Sequence, residues 1–462
     1  MRAAIDARAR LLRWARPKCA KCRARSVAPG VAWLAAGFLL AGCGAGQDDN
    51  EIIVQRFFGT CRAEYGERVD VENANGECGI MTTLVNKFSR EHPRFQIRVS
   101  PVAWPGYNQL AAQFAAGDPP DMVTMHISAI SDYQARGLLE PLDDGLKSVG
   151  IDPAAFTEVS RRGVTKNGHI YGLPIDTWAP LWHINLNYFR EAGLVKNGEP
   201  VLPTNVNELL AQARQFKQAT GKPYFVQALT YERATYTRNL YTLLMQQGSD
   251  FFADPKHLKL QTPEARRVLE LWKQIYDEDL TTKNQDYTAA TNGFINGDGG
   301  VYLVGTWLIG DFDAESKKPN RPLSNGYTVE MFPQLYAGRN TTFVDGHAWV
   351  MPTRERTTTQ RQAVFALMKF FADEDFEWSR TGHLPAFAAV MQSPAFNALP
   401  YRSNIAQLGT IGSALPPGVQ RQFPVQDIIG EEMAAAIAGQ KPIADALADA
   451  ESRVNDLLFH LL

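Results

Sequence analysis

The sequence predicts an α/β protein of two lobes, and three features carry that reading. Short apolar runs alternate with stretches of helical periodicity in its first part, the pattern of a parallel sheet with crossover helices. At 462 residues, 45% hydrophobic and 21% charged, the chain is long enough for two cores and excludes the disordered and fibrous classes. No repeat, low-complexity tract or obvious linker divides it, so the chain is expected to pass between lobes by strands rather than by a flexible tether.

The first 42 residues are read as lying outside the fold. Nine Lys and Arg against Asp6 precede an apolar run at 27–40 that is too short to span a bilayer comfortably, the composition of a secretory signal. Leu40-Ala41-Gly42-Cys43 follows directly and resembles the bacterial lipobox, so Cys43 is expected to be lipidated, with 43–50 as a tether to a membrane. Removing nine bases and one acid leaves 38 Lys and Arg against 48 Asp and Glu, a net charge of −10 that disfavours nucleic acid as a partner. Cys19 and Cys22 leave with the signal. Cys61 and Cys78 remain as an even pair in an oxidising space and predict a disulfide, with two free thiols as the alternative; for a loop of that length the bond contributes about 3 kcal/mol.

Along the exported chain, strands are expected at 51–58, 95–99 and 122–125, with helices over 80–88 and 110–115 between them. Ligands of such sheets gather at the carboxyl ends of the strands. A hairpin arm at 168–173 leads through Asp176 and Trp178 to a strand at 181–187 and a short helix at 188–192. Helices follow at 204–220, 236–245, 266–276 and 362–371, strands at 224–228, 327–332 and 342–351, and a closing helical segment at 431–461 broken near Gly439 and Pro442. Asn292-Gly293 and Asn296-Gly297 punctuate a turn before a buried strand at 301–304, which ends on Trp307. That tryptophan either caps the sheet as a core residue or presents its face to a ligand approaching past Gly305.

Most motifs of chemistry are absent. There is no phosphate-binding G-x-x-x-x-G-K-[ST] loop, dinucleotide fingerprint or G-x-S-x-G elbow. The eight histidines lack H-x-x-x-H spacing, so a zinc site has to be assembled from distant parts of the chain, and no metal ligand set or cofactor is expected. Asp121, Asp176 and Asp345 are the acids to watch for a pair facing across a glycosidic bond. Trp104, Tyr107, Trp178, Trp182, Trp307 and Trp349 lie near predicted strand ends and crossings, an aromatic supply that suits the C–H faces of sugars; Trp182 and Trp349, inside apolar strands, read as core.

Several segments, in order, carry a resemblance: Cys43 in its lipobox, FAAGDPPDMVTM at 114–125, GLLEPLDD at 137–144, YGLPIDTWAPLWHINLNYFREAGL at 171–194, NVNELLAQARQF at 205–216, GFINGDGGVYLVGTW at 293–307, DGHAWVMP at 345–352 and TGHLPA at 381–386. Together they resemble the bacterial extracellular solute-binding proteins of carbohydrate ABC importers, the group similar to maltodextrin- and trehalose/maltose-binding proteins. The resemblance implies a two-lobed periplasmic-binding-protein fold of the type II kind, with lobes 51–175 plus 333–372 and 176–332 plus 373–462. Three crossings are expected near Asp176, Pro333 and Asp373. It implies a non-enzymatic, monomeric lipoprotein, periplasmic or at the cell surface, that passes a di- or oligosaccharide from an interlobe cleft to a permease.

By the same resemblance Trp307 is the stacking aromatic, Asp176 and Trp178 lie on the first crossing, and His126 replaces a sugar-binding Asp. Asp345, Gly346 and His347 stand where relatives have Gly-Gly, His383 approaches the cleft, and Phe58 and Thr60 follow the first strand. The segment between Cys61 and Cys78 departs from the family pattern and is expected to wall the cleft. Two rivals stand beside this reading. A binder of a glycerophosphodiester or polyol predicts a cleft rich in Arg and Lys, whereas the strand-end segments are poor in both. A surface lipoprotein that captures or hydrolyses glycan predicts a facing pair of acids.

Overall fold

The computed structural model describes residues 50–230 and 233–460, all within one compact unit. The signal at 1–42, Cys43 and the tether up to residue 49 lie outside the described residues. Among the described residues no helix is long and apolar enough to cross a membrane.

The chain begins with β1 (Glu51–Arg56), whose Ile52, Ile53 and Val54 are buried on both faces as an interior parallel strand requires. α1 (Gly76–Glu91) returns over the sheet to β2 (Gln96–Pro101), and α2 (Tyr107–Ala115) leads to β3 (Met122–His126). α3 (Ile127–Ala135) follows at once, and the chain reaches β4 (Leu173–Pro174). A second set then forms: β5 (Pro180–Asn185), α4 (Val206–Thr220), β6 (Phe225–Val226), α5 (Arg233–Gln246), α6 (Pro263–Asp277), α7 (Tyr287–Ile295), β7 (Val301–Gly305) and β8 (Tyr327–Met331). β9 (His347–Val350), α8 (Thr358–Asp373), α9 (Gln422–Ile437) and α10 (Ile443–Phe459) complete the chain. Local chemistry starts these helices: Asn205 caps α4, Thr262 with Pro263 opens α6, and Thr357 with Gln360 forms a capping box on α8.

Two larger sheets result. The first runs β2-β1-β3-β9-β4, with β1 parallel to β2 and β3 and with β9 antiparallel to β3. The second runs β6-β7-β5-β8, with β5 antiparallel to both neighbours. Each has its own apolar core: Trp349 sits at the centre of the first and Trp182 of the second, both fully buried, in agreement with the core reading of these two residues. The chain passes between sheets from β4 to β5, from β8 to β9 and from α8 to α9. These passages run side by side, since Asp176–Thr177 pairs with Leu384–Pro385 and Trp178 bridges to Asp345.

Three local expectations are corrected. Asn292-Gly293 is not a turn but lies inside α7, which Asp286 caps by accepting from the Ala289 amide at 2.8 Å. Gly293 is small there because a Cβ would meet Asp298 Oδ2 at 2.9 Å, and the turn falls later, at Gly297 with φ +79°. The strand expected over 342–351 is split: Thr342–Phe343 pairs with Gly412–Ser413, and β9 begins only at His347. Gly346 stands at the break because the Asp176 carbonyl would lie 2.3 Å from any Cβ. The hairpin arm at 168–173 is displaced, pairing Thr165–Lys166 with His169–Ile170.

The disulfide joins Cys61 and Cys78 as expected. The loop it closes is also gripped by Arg380, whose guanidinium donates to the carbonyls of Val71 and Glu72 at 2.8 Å and of Ala74 at 3.0 Å. This double restraint presents the first turn of α1, and with it Glu77, to the space between the sheets.

Candidate functional site

The carboxyl ends of β1, β3 and β7 converge on a cavity of about 380 Å³, within the range of small-molecule sites. Phe57 and Phe58 enter from the end of β1, His126 from the end of β3 and His347 from the facing start of β9. Trp178 and Trp307 enter from the second sheet. Trp307 sits in a single 3₁₀ turn just past β7, and its ring lies so close over Gly305 that a Cβ there would fall 1.9 Å from it. The glycine before the tryptophan therefore serves the ring's own position. The indole Nε1 donates to Tyr287 Oη at 2.8 Å, which fixes the ring's orientation while it stays partly exposed. Trp178 stands edge-on to it, with ring centroids 5.5 Å apart.

Arg238 of α5 joins the three indoles. Its guanidinium lies 4.5 Å from the Trp178 ring, 5.8 Å from Trp307 and 5.9 Å from Trp104. Asn239, Glu77, Tyr287 and Tyr302 add polar atoms to the same wall.

The imidazoles are held in distinct states. His126 Nε2 accepts from Trp104 Nε1 at 3.3 Å and Nδ1 bonds Tyr107 Oη at 2.9 Å; burial, with His347 and Arg238 nearby, pushes its pKa well down, so it is neutral. His347 is the opposite case. Burial opposes its charge, but Asp176 Oδ2 lies 2.8 Å from Nδ1 and the carboxylate raises its pKa overall. Burial likewise pushes Asp176 up, and His347, His383 and the Trp378 indole outweigh it and hold the carboxyl at about 2.

Of the residues expected at the site, Trp307, Trp178, His126, His347 and Phe58 line the cavity. Asp176 is fully buried beneath His347. His383 is also fully buried behind the wall, bonded to Glu77 Oε1 and Thr306 Oγ1 at 2.8 Å each. Asp345 and Gly346 line a separate cavity of about 310 Å³, where Asp345 accepts from the Ser128 amide and hydroxyl at the start of α3. Thr60 is exposed and lines neither. Sequence reasoning missed Glu77 and Arg238. The readable signal for Arg238 was a lone charge in the helical segment 234–246, otherwise uncharged and largely buried; Glu77 gave none beyond its place beside Cys78.

This arrangement, two α/β sheets with three passages and an aromatic cavity between strand ends, agrees with the family that the sequence matches. The model of the bacterial extracellular solute-binding proteins matches residues 83–403. The chain belongs to that family. Among its curated relatives, the sn-glycerol-3-phosphate-binding periplasmic protein UgpB of Pectobacterium atrosepticum is 22% identical over 408 residues, covering 83% of this chain and 89% of the relative. The arabinooligosaccharide-binding protein of Bacillus subtilis is 22% identical over 256 residues, covering 52% and 56%. Among solved structures, maltose-bound MalE3 of T. maritima superposes with a TM-score of 0.73 at 18% identity, over 88% of this chain and 99% of that one, so the two-lobed fold is shared. The extracellular solute-binding family is one of capture rather than catalysis.

Proposed function

We propose that this solute-binding protein is the sugar-capturing component of an ABC importer, taking a di- or oligosaccharide between its lobes and delivering it to a permease. The observation that carries the reading is the ring of Trp104, Trp178 and Trp307 around one cavity that also holds Arg238, Asn239 and His126. Pyranose C–H faces pack on indoles, and hydroxyls are taken up by the polar edges. The arabino-oligosaccharide named for one relative and the maltose bound to MalE3 support the same ligand class. The lobes are drawn at 51–175 plus 333–372 and 176–332 plus 373–462, with the short helix Asp375–Ser379 seated on the first core through Trp378. A ligand touching both lobes stabilises the closed form by its differential contacts. Cys43 carries the lipid that holds the chain at the membrane as a monomer.

Glu77 is the sole carboxylate among the described residues lining the cavity, whereas glycoside hydrolysis takes a facing pair. Asp121 is engaged with Arg356 at 3.1 Å, Asp176 with His347 and Asp345 with Ser128, which supports binding without turnover. Arg238 favours one second reading, a phosphorylated polyol, in keeping with the glycerol-phosphate ligand named for another relative.

A thermal-shift panel of neutral sugars, sugar phosphates and glycerol phosphates tests both readings, with Trp307→Ala in parallel. A ligand present at a hundred times its Kd stabilises the native state by about 2.7 kcal/mol. A neutral oligosaccharide is expected to raise the midpoint of the wild type and to leave the variant's unchanged. If only phosphorylated solutes shift it, the sugar reading fails and the second takes its place.

A further inference from the structure

A second constellation, independent of the sugar reading, joins two residues of the cavity wall, Glu77 and His347, to His383 behind it. Glu77, His347 and His383 each offer one ligand atom within 4.8 Å of the other two, and both imidazoles are buried. They arrive from the first turn of α1, the start of β9 and the loop before Leu384–Pro385, the distant parts from which a site without local spacing has to be assembled.

We propose that these three residues bind one divalent transition-metal ion, with Zn²⁺ the best match, leaving a coordination position open to the cavity. Two nitrogens and one carboxylate oxygen suit Zn²⁺ or Co²⁺ and not the all-oxygen preference of Ca²⁺ or Mg²⁺. The surroundings supply the orienting bonds that metal-binding imidazoles use. His347 Nδ1 is held by Asp176 at 2.8 Å, and Asp176 is itself held by Trp378 Nε1 at 2.8 Å. His383 Nδ1 is held by Thr306 Oγ1 at 2.8 Å. With both Nδ1 atoms engaged, the Nε2 of each ring is the metal donor, and the ion takes the place of the proton shared between His383 Nε2 and Glu77 Oε1 at 2.8 Å.

Tetrahedral coordination at Zn–N distances of 2.0–2.1 Å puts ligand atoms roughly 3.4 Å apart. Reaching it requires the cluster to tighten, and Glu77, with 24% of its side-chain surface exposed, has the freedom to move. The disulfide at the next residue, Cys78, limits that movement to the side chain. Glu77 and His347 also line the cavity, so a ligand oxygen entering there reaches the open position and adds a directional contact that the indoles cannot give.

The test uses the protein purified from an exporting host without a polyhistidine tag and stripped by a chelator. Zn²⁺ alone is titrated by calorimetry, and Co²⁺ by its visible absorption. One ion per chain is expected, with the intense visible bands of tetrahedral Co²⁺. Glu77→Gln and His383→Gln are each expected to weaken binding at least tenfold, Glu77→Gln without loss of folding because the side chain is partly exposed. No stoichiometric binding, or binding unchanged in both variants, overturns the proposal whatever the sugar panel shows.

Discussion

Glu330, on β8, is a carboxyl that burial raises from its ordinary 4.5 to about 7, with Glu199 adding to the rise and the Asn404 amide, 3.0 Å away, opposing it. Between those two values the folded state holds more protons than the unfolded one, so this group's contribution makes stability fall as pH rises from about 4.5 through 7. Glu330→Gln keeps an acceptor for Asn404 and removes the charge. The melting temperature of the wild type is therefore expected to fall more between pH 5 and pH 8 than that of the variant, and parallel profiles would refute the assignment. At this scale, the residues around Trp307 left a core indole and a cavity-facing one both open; the resemblance pointed to the cavity, and the ring does line it. His347, placed near the cleft by the resemblance, lines the cavity, but its pairing with Asp176 was not readable, because 171 residues separate the two.

The loop between Cys61 and Cys78 is the element in which this chain departs from its family's pattern, and two restraints define it. The disulfide spans 17 residues, which in the chain-entropy account contributes about 3 kcal/mol. Arg380 adds three hydrogen bonds to carbonyls of the same loop. Replacing both cysteines by serine is expected to destabilise the fold by about 3 kcal/mol and to raise the urea m-value, because the denatured chain without the crosslink exposes more surface; an unchanged stability would show that Arg380 alone holds the loop. Most of the longer helices and strands were readable by period, with bounds shifted by a few residues; α3 was not foreseen, and α9 begins nine residues before the helical segment expected from 431. α7 was misread because Asn-Gly pairs signal turns, whereas here Gly293 answers to the close approach of Asp298.

At the scale of the whole molecule, contacts also join the two sides away from the three chain passages. Ser131 Oγ, on α3, donates to the Pro417 carbonyl at 2.7 Å, and Asp132 pairs with Arg421 at 3.3 Å. Phe423 packs on Tyr107 and His126 just before the buried part of α9 joins the other core. On the proposed reading, a ligand that adds contacts to both sides favours an arrangement in which they approach each other. Small-angle scattering is expected to show a smaller radius of gyration at saturating sugar for the wild type and no change for Trp307→Ala. A radius insensitive to a sugar that demonstrably binds would rule out closure as the response.

The sequence by itself determined the α/β class, the order of most elements, the pairing of Cys61 with Cys78 and the core placement of Trp182 and Trp349. These depend on local periodicity, on compartment and on apolar runs, all of which are written within a few residues of one another. Only the tertiary structure decided which polar side chains share the cavity. It turned Asp345 to a second cavity, set Asp176 and His383 behind the wall, and brought in Glu77 and Arg238 from helices that carry no motif. The physical reason is that a cavity wall is assembled from strand ends and helix turns far apart in the chain, so its chemistry depends on sheet order and register, which no local window contains.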